Sequence, residues 1–235
     1  METLKPLTVS KSVYNAPTHL LTDDYRSFLL HSPLDQQTLL THHLSRFLLH
    51  HFKLESFNVG VFTLQGKRYY CLEDVQGKLP FDDWYGYLWS DRKKFNHFLK
   101  PKDVFFLFLL DVFFPLFGNA FEKYFVEDQK YRVLSHLTAE RNLNGLQFNP
   151  FTLSQLGLDS PVIKSFFAFT AKEELFHYLM DFISLMHEKF YRDFKYQVSL
   201  FAEDRNVYWN EIQKCTALEY QSYCVNLITD YIIRL

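Results

Sequence analysis

The sequence predicts an α+β fold that is predominantly α-helical, with one β-hairpin in its N-terminal half packed on a helical core. Apolar residues recur at helical spacing in several long segments, whereas residues 57–74 form two β-branched and aromatic runs around a turn at Gln65-Gly66. Phenylalanine is abundant, with 26 of 235 residues, and each buried ring removes a large apolar area from water. These residues suffice to fill a sizeable core without disulfide bonds.

The domain organisation is predicted to be simple. Residues 1–20 contain Pro6 and Pro17 and show little periodicity, so we expect an irregular N-terminal arm. Residues 21–235 are predicted to form a single globular domain. The stretch 77–87, which contains Pro80 and Gly86, is the best candidate for a boundary within it.

A first helix is predicted to follow Ser32-Pro33, because a serine N-cap and a proline at the first helical position favour helix initiation. Its apolar stripe consists of Leu40, Leu44, Phe47 and Leu48. Two pairs of histidines on this helix are about 10.5 Å apart along its axis, which is too far for two imidazoles to share one metal ion. We therefore expect a solvated polar face at His42, His43, His50 and His51.

From Asp103 onward the pattern is helical. Asp103 is expected to cap a helix at Val104–Phe117, which is apolar on every face and hence predicted to be buried, with Pro115 ending or kinking it. Thr170 and Glu173 match a capping box that opens a helix. The apolar stripe of that helix is Leu175, Leu179, Phe182, Ile183, Met186 and Phe190. A last helix is predicted through Trp209, Ile212, Thr216, Tyr220, Tyr223 and Leu227.

Asp111 lies in the middle of the apolar helix. An ionised carboxylate cannot be buried there without a partner, because desolvation costs several kcal/mol. Asp111 is therefore expected either to bond a neighbouring donor or to line a polar pocket, and in the second case it is a candidate catalytic residue.

Charge and cysteine content narrow the classes of function. The formal net charge of −2 excludes a protein that coats nucleic acid. The cysteines Cys71, Cys215 and Cys224 are too few and too far apart for a disulfide framework or a zinc site, which suits a reducing compartment. Neither a secretory signal nor a stretch long enough to span a bilayer is visible, so we expect a soluble, cytoplasmic protein. No phosphate-binding loop or dinucleotide fingerprint is present, and no cofactor is predicted.

The segment 89–102, WSDRKKFNHFLKPK, interleaves cations with rings. We call it the basic segment, and its composition suits a single-stranded nucleic acid or an acidic protein partner. The alternative is an exposed helix with Phe95, Phe98 and Leu99 turned inward. The binding candidates of the basic segment are Arg92, Lys93, Lys94, Phe95, His97, Lys100 and Lys102.

Two further patterns indicate an enzyme instead. Glu174 and His177 have the i, i+3 spacing of metal sites in helical bundles, with Asp181 on the same face, but only one such motif occurs and no metal site is predicted. The pairs Arg46…His51 and Arg92…His97 resemble in their spacing the active-site motif of HEPN-type ribonucleases. That resemblance implies metal-independent RNA cleavage.

The leading interpretation is a non-catalytic binding or regulatory module that engages a protein or polyanionic partner through the basic segment. It rests mainly on the absence of a catalytic signature. The alternative is a helical enzyme, either a metal-independent RNase using Arg92 and His97 or a metal-dependent oxidase or hydrolase using Glu174 and His177.

Overall fold

The fold is known from a computed structural model. It describes residues 9–13, 19–22, 27–31, 36–56, 59–64, 67–73, 100–114, 124–127, 130–133, 166–200 and 215–235.

The N-terminal part of the chain forms a five-stranded antiparallel sheet. Its first three strands are β1 (Val9–Val13), β2 (His19–Thr22) and β3 (Ser27–His31). Helix α1 (Gln36–His51) follows, and the strands β4 (Val59–Leu64) and β5 (Lys67–Glu73) complete the sheet. The strand order is β1-β2-β3-β5-β4, so that β5 pairs with β4 on one side and, across the helical crossover, with β3 on the other.

The predicted fold class is wrong in its β content. The strands β4 and β5 are not a lone hairpin on a helical core but the last two strands of the five-stranded sheet, with Leu72 of β5 opposite both Leu29 of β3 and Val59 of β4. An isolated hairpin is marginally stable in water, and the pairing with β3 supplies the additional strands that it needs. Residues 1–20, predicted to be irregular, contribute β1 and the beginning of β2.

A second sheet corrects the prediction that the chain is helical from Asp103 onward. It consists of β6 (Tyr124–Glu127) and β7 (Lys130–Val133), which pair antiparallel with Phe125 opposite Arg132. These two strands are only four residues long, too short for a period of two to stand out in the sequence. Strand β7 packs against α1.

Four further helices have defined bounds. They are α2 (Pro101–Phe113), α3 (Lys172–Leu185), α4 (Glu188–Ser199) and α5 (Leu218–Arg234). A short helical stretch at residues 166–169 precedes α3. Helix α2 packs against α3 and α5, α3 packs against α5, and α1 packs against α4. None of the described helices is long and apolar enough to cross a membrane.

Helix α2 is the centre of the core, as its sequence predicts. Residues 104–110 and 112–114 are at most 2% exposed. The helix begins at Pro101, with Lys100 as its N-cap, because proline at the first helical position has no N–H to leave unpaired. Asp103 therefore lies in the first turn, where its charge suits the helix dipole, and the prediction that it is the N-cap is wrong.

The stripe predicted for one long helix is divided between two. Leu175, Leu179 and Phe182 are the buried face of α3, whereas Phe190 belongs to α4, which starts after a break at 186–187. The Thr170–Glu173 capping box is also wrong by one residue, since Ala171 is the N-cap and its N–H lies 3.4 Å from the carboxylate of Glu174. The last helix starts at Leu218, so Thr216 precedes it; Trp209 and Ile212 lie outside the described residues.

Aromatic rings join these helices into one core. Phe182 of α3 stacks on Phe52 with 4.2 Å between ring centroids and meets Phe106 of α2 edge-on at 5.3 Å. Phe114, which follows α2, contacts Phe190 of α4 at 5.7 Å. The many phenylalanines of the sequence thus serve to pack one helix against another within this core.

Candidate functional site

The basic segment is described only at its C-terminal end. Lys100 is exposed at the N-cap of α2. Lys102 Nζ donates to Asp181 Oδ2 of α3 at 2.6 Å and lies 5.2 Å from the centroid of the Phe106 ring. Lys102 is therefore partly neutralised by a partner within the chain and is a poorer anion-binding group than its sequence suggests. The other binding candidates, Arg92, Lys93, Lys94, Phe95 and His97, lie outside the described residues.

The metal candidates occupy the exposed side of α3. Glu174 is used at the N-cap, and His177 Nε2 lies 3.7 Å from Asp181 Oδ2, the oxygen that also accepts from Lys102. The hydrogen bond from Lys102 holds the pKa of Asp181 below its ordinary value. Across the described part of the chain, no group of three or more His, Cys, Asp or Glu residues is arranged to hold a metal ion.

The Arg46…His51 pair lies on α1. Five residues correspond to about 140° around a helix, so the two side chains leave it in different directions. His51 Nε2 donates to the carbonyl oxygen of Leu185 at 2.9 Å, and its ring lies 4.4 Å from that of Phe190. Burial lowers the pKa of His51. In this position His51 joins α1 to the α3–α4 junction. The second pair, Arg92…His97, lies outside the described residues.

The prediction of a solvated histidine face is wrong for two of its members. Only His50 is exposed among the histidines of α1 whose side chains are described. His43 Nε2 lies 2.7 Å from Gln197 Oε1 of α4, and burial lowers the pKa of its imidazole. His43 and His51 are two turns apart on α1, and they contact opposite ends of α4. Together with the ring of Phe47, which lies 6.1 Å from that of Phe190, they form the contact between α1 and α4.

A buried polar cluster joins α5 to the end of α2. The carbonyl of Val112, in the last turn of α2, accepts a hydrogen bond from Tyr220 Oη at 2.8 Å and faces Cys224 Sγ at 3.6 Å. The last carbonyls of a helix have no partner within it, and here α5 supplies the donors. Burial raises the pKa of Tyr220 above its ordinary range and that of Cys224 to about 12. Cys224 is therefore a neutral structural thiol.

Sequence reasoning missed three residues that hold helices in place. Gln197 and Tyr220 bond groups on other helices, and His187 caps the start of α4 through the N–H of Phe190. Their local patterns carry no signal of this, apart from His187, whose place before an amphipathic run is typical of an N-cap position. The side chain of the remaining catalytic candidate, Asp111, lies outside the described part of the structure, so its role stays a prediction.

Comparisons with known proteins define the fold. No protein-family model matches the sequence, and no curated protein matches it. A solved structure that is similar is the crystal structure of a Helicobacter pylori proinflammatory kinase, CtkA. The two chains superpose with a TM-score of 0.56 at 10% sequence identity, over 98% of this chain and 96% of the kinase chain. The likeness at this identity is one of fold, and it extends over nearly the whole of both chains.

Proposed function

We propose that this chain is a non-catalytic binding or regulatory module built on a kinase-like fold. The proposal combines the likeness to CtkA with the residues of β3 and α1, the elements that correspond in chain order to those that hold the nucleotide in a protein kinase. In protein kinases a Gly-rich loop covers the phosphates, a lysine on the third strand contacts them, and a glutamate on the following helix pairs with that lysine.

The observation that carries the proposal concerns β3 and α1. Strand β3 reads SFLLH and contains no lysine, and α1 reads QQTLLTHHLSRFLLHH and contains no acidic residue. The lysine–glutamate ion pair that positions the phosphates therefore has neither of its members at these elements. The loop between β1 and β2 cannot be Gly-rich, because the first glycine of the chain is Gly60.

The magnesium-binding motifs of protein kinases are also missing from the sequence. Neither a D-F-G triplet nor an H-R-D triplet occurs anywhere in the chain. Positioning and electrostatic stabilisation supply almost all of the catalysis in phosphoryl transfer. A chain without these groups retains the shape of the fold while losing the means of that chemistry.

The proposed partner is a protein or a polyanion that contacts the basic segment. Lys100 is exposed at the start of α2, which is held in the core by its buried faces. A binding segment anchored to a rigid helix loses less conformational freedom on association than a free one. The ion pair with Asp181 partly neutralises Lys102, so Arg92, Lys93, Lys94 and Lys100 are the main cations that we assign to this surface.

The test is a phosphoryl-transfer assay with radiolabelled ATP and Mg²⁺, run beside an active kinase and a blank without protein. We expect no label on this chain or on a general protein substrate above the blank, and no shift of its melting temperature by ATP with Mg²⁺. Transfer that scales with the amount of this chain and stops when a chelator removes Mg²⁺ would refute the proposal.

Phosphoryl transfer is the second candidate function. The likeness to the fold of a kinase is the one observation that favours it. Of the helical-enzyme alternatives from the sequence, the metal enzyme has weaker support because Glu174 is used at the N-cap of α3, whereas Arg92 and His97 of the RNase lie outside the described residues. Both alternatives are tested by metal analysis of the purified protein and by RNA cleavage in the presence of a chelator. One equivalent of bound metal would support the metal enzyme, and RNA cleavage that scales with the amount of this protein would support the RNase.

A further inference from the structure

Two histidines meet where α1 ends and α3 gives way to α4. His51, the last residue of α1, lies with its ring centroid 6.0 Å from that of His187 and 4.4 Å from that of Phe190. His187 is the N-cap of α4. The contact joins residues that are more than a hundred positions apart in the sequence, so the junction exists only in the folded chain.

Each imidazole completes the hydrogen bonding of a helix end. His51 Nε2 donates to the carbonyl of Leu185, the last residue of α3, which has no partner of its own within that helix. His187 Nδ1 accepts from the N–H of Phe190 at 3.2 Å, which satisfies one of the first amides of α4. These roles require a proton on Nε2 of His51 and a free lone pair on Nδ1 of His187.

Protonation of His51 weakens the junction. Protonated His51 keeps its bond to Leu185, but it places a charge against the ring of Phe190, whose centroid is 4.4 Å away, and 6.0 Å from the centroid of the His187 ring.

Other charged groups surround His51. His50 lies beside it on α1 and adds to the repulsion, whereas Asp193 of α4 attracts the charged form. Strand β7, which also packs against α1, contains two cationic residues, Lys130 and Arg132. Burial is the largest influence, and with His187 and His50 it holds the pKa of His51 below its ordinary value in spite of Asp193 and the bond to Leu185.

We propose that His51, packed against His187 and Phe190, is a proton-sensitive latch that releases the end of α1 from the α3–α4 junction as the pH falls below neutrality. A histidine whose pKa is lower in the folded chain than in the unfolded one does not oppose folding well above the unfolded value of about 6.5. It opposes folding increasingly as the pH falls through that value, because the unfolded chain then takes up the proton more readily. The latch is therefore closed near pH 7.5 and weakened near about pH 5.5.

The test compares the full-length chain with the double variant His51→Gln, His187→Asn. Glutamine still offers a donor to Leu185 and asparagine is a good N-cap, but neither titrates. The melting temperature of each protein is measured at about pH 7.5 and about pH 5.5. We expect the melting temperature of the wild type to fall further between these two pH values than that of the double variant. The exposed neighbour His50→Gln is the matched control and should leave most of the pH dependence in place.

A local measurement separates a latch from a general effect of acid. Hydrogen exchange, corrected for its intrinsic dependence on pH, should show protection lost first in residues 47–51 and 187–191. The single variant His51→Gln serves if the double variant fails to fold, and its melting temperature should also fall less than that of the wild type. Equal losses of melting temperature in the wild type and the variants, or protection lost evenly over the chain, would overturn the proposal.

Discussion

The aromatic contact at Phe182 gives the most direct test of the core. Its side chain is 0% exposed, and its ring centroid lies 4.2 Å from that of Phe52, 5.3 Å from that of Phe106 and 5.3 Å from that of Phe113. Phe182→Ala removes all three contacts and leaves a cavity between α2 and α3. Burying about 150–250 Å² at about 25 cal/mol per Å² is worth roughly 4–6 kcal/mol, and measured Phe-to-Ala changes in cores cost about 3–5 kcal/mol.

The assay is thermal and urea unfolding followed by circular dichroism. For a chain of this length the loss corresponds to a melting temperature lower by roughly 6–20 °C, with the urea slope unchanged if both proteins unfold in two states. Met180→Ala is the control, because Met180 lies on the same helix and is 62% exposed; it should change the free energy of unfolding by at most about 0.5 kcal/mol. If Phe182→Ala were no more destabilising than this control, the packing of α3 on α2 described above would be incorrect.

Three further predictions concern the polar cluster and the proposed binding surface. Tyr220→Phe should lower the free energy of unfolding by about 1 kcal/mol in urea titrations, because the carbonyl of Val112 loses its best donor while Cys224 still faces it; an unchanged midpoint would argue against this bond. Cys224 should resist alkylation at about pH 8 in the native chain and react in denaturant, as judged by mass spectrometry of its peptide, since burial raises its pKa to about 12; rapid native labelling would contradict this. Lys93→Glu with Lys94→Glu should abolish retention on heparin at low salt without altering the melting temperature, and retention equal to that of the wild type would exclude the basic segment as an anion-binding surface.

The position and burial of α2 were determined by the sequence alone. A run that is apolar on every face has only one stable environment in water, so its place at the centre follows without knowledge of its neighbours. The stripe of Leu175, Leu179 and Phe182 is equally local, because residues three and four apart lie on the same side of any helix. The end of α3 could not be predicted from the sequence. The apolar period continues through Met186 to Phe190 and gives no indication of the break between α3 and α4.

The extent of the sheet was decided by tertiary structure. Strands β1, β2 and β3 are short and mix polar with apolar residues. Besides β2, β3 pairs with β5, which follows it in the chain only after α1 and β4. Pairing over such a distance depends on which edges the folded chain leaves open, and a local pattern does not contain that information. The same holds for the likeness to the solved structure of CtkA, which is one of fold at 10% identity, because a core tolerates many exchanges of apolar residues that keep volume and pattern.

For the histidines of α1, too, the sequence determined one property and the tertiary structure decided another. Their number and spacing on one helix can be read from the sequence, and they exclude a metal ion shared between the two pairs. Whether each ring meets water or a partner depends on α4 and the α3–α4 junction, which lie more than 130 residues further along the chain. His43 and His51 become half-buried there and His50 stays exposed, because only the side of α1 that faces those helices is withdrawn from water.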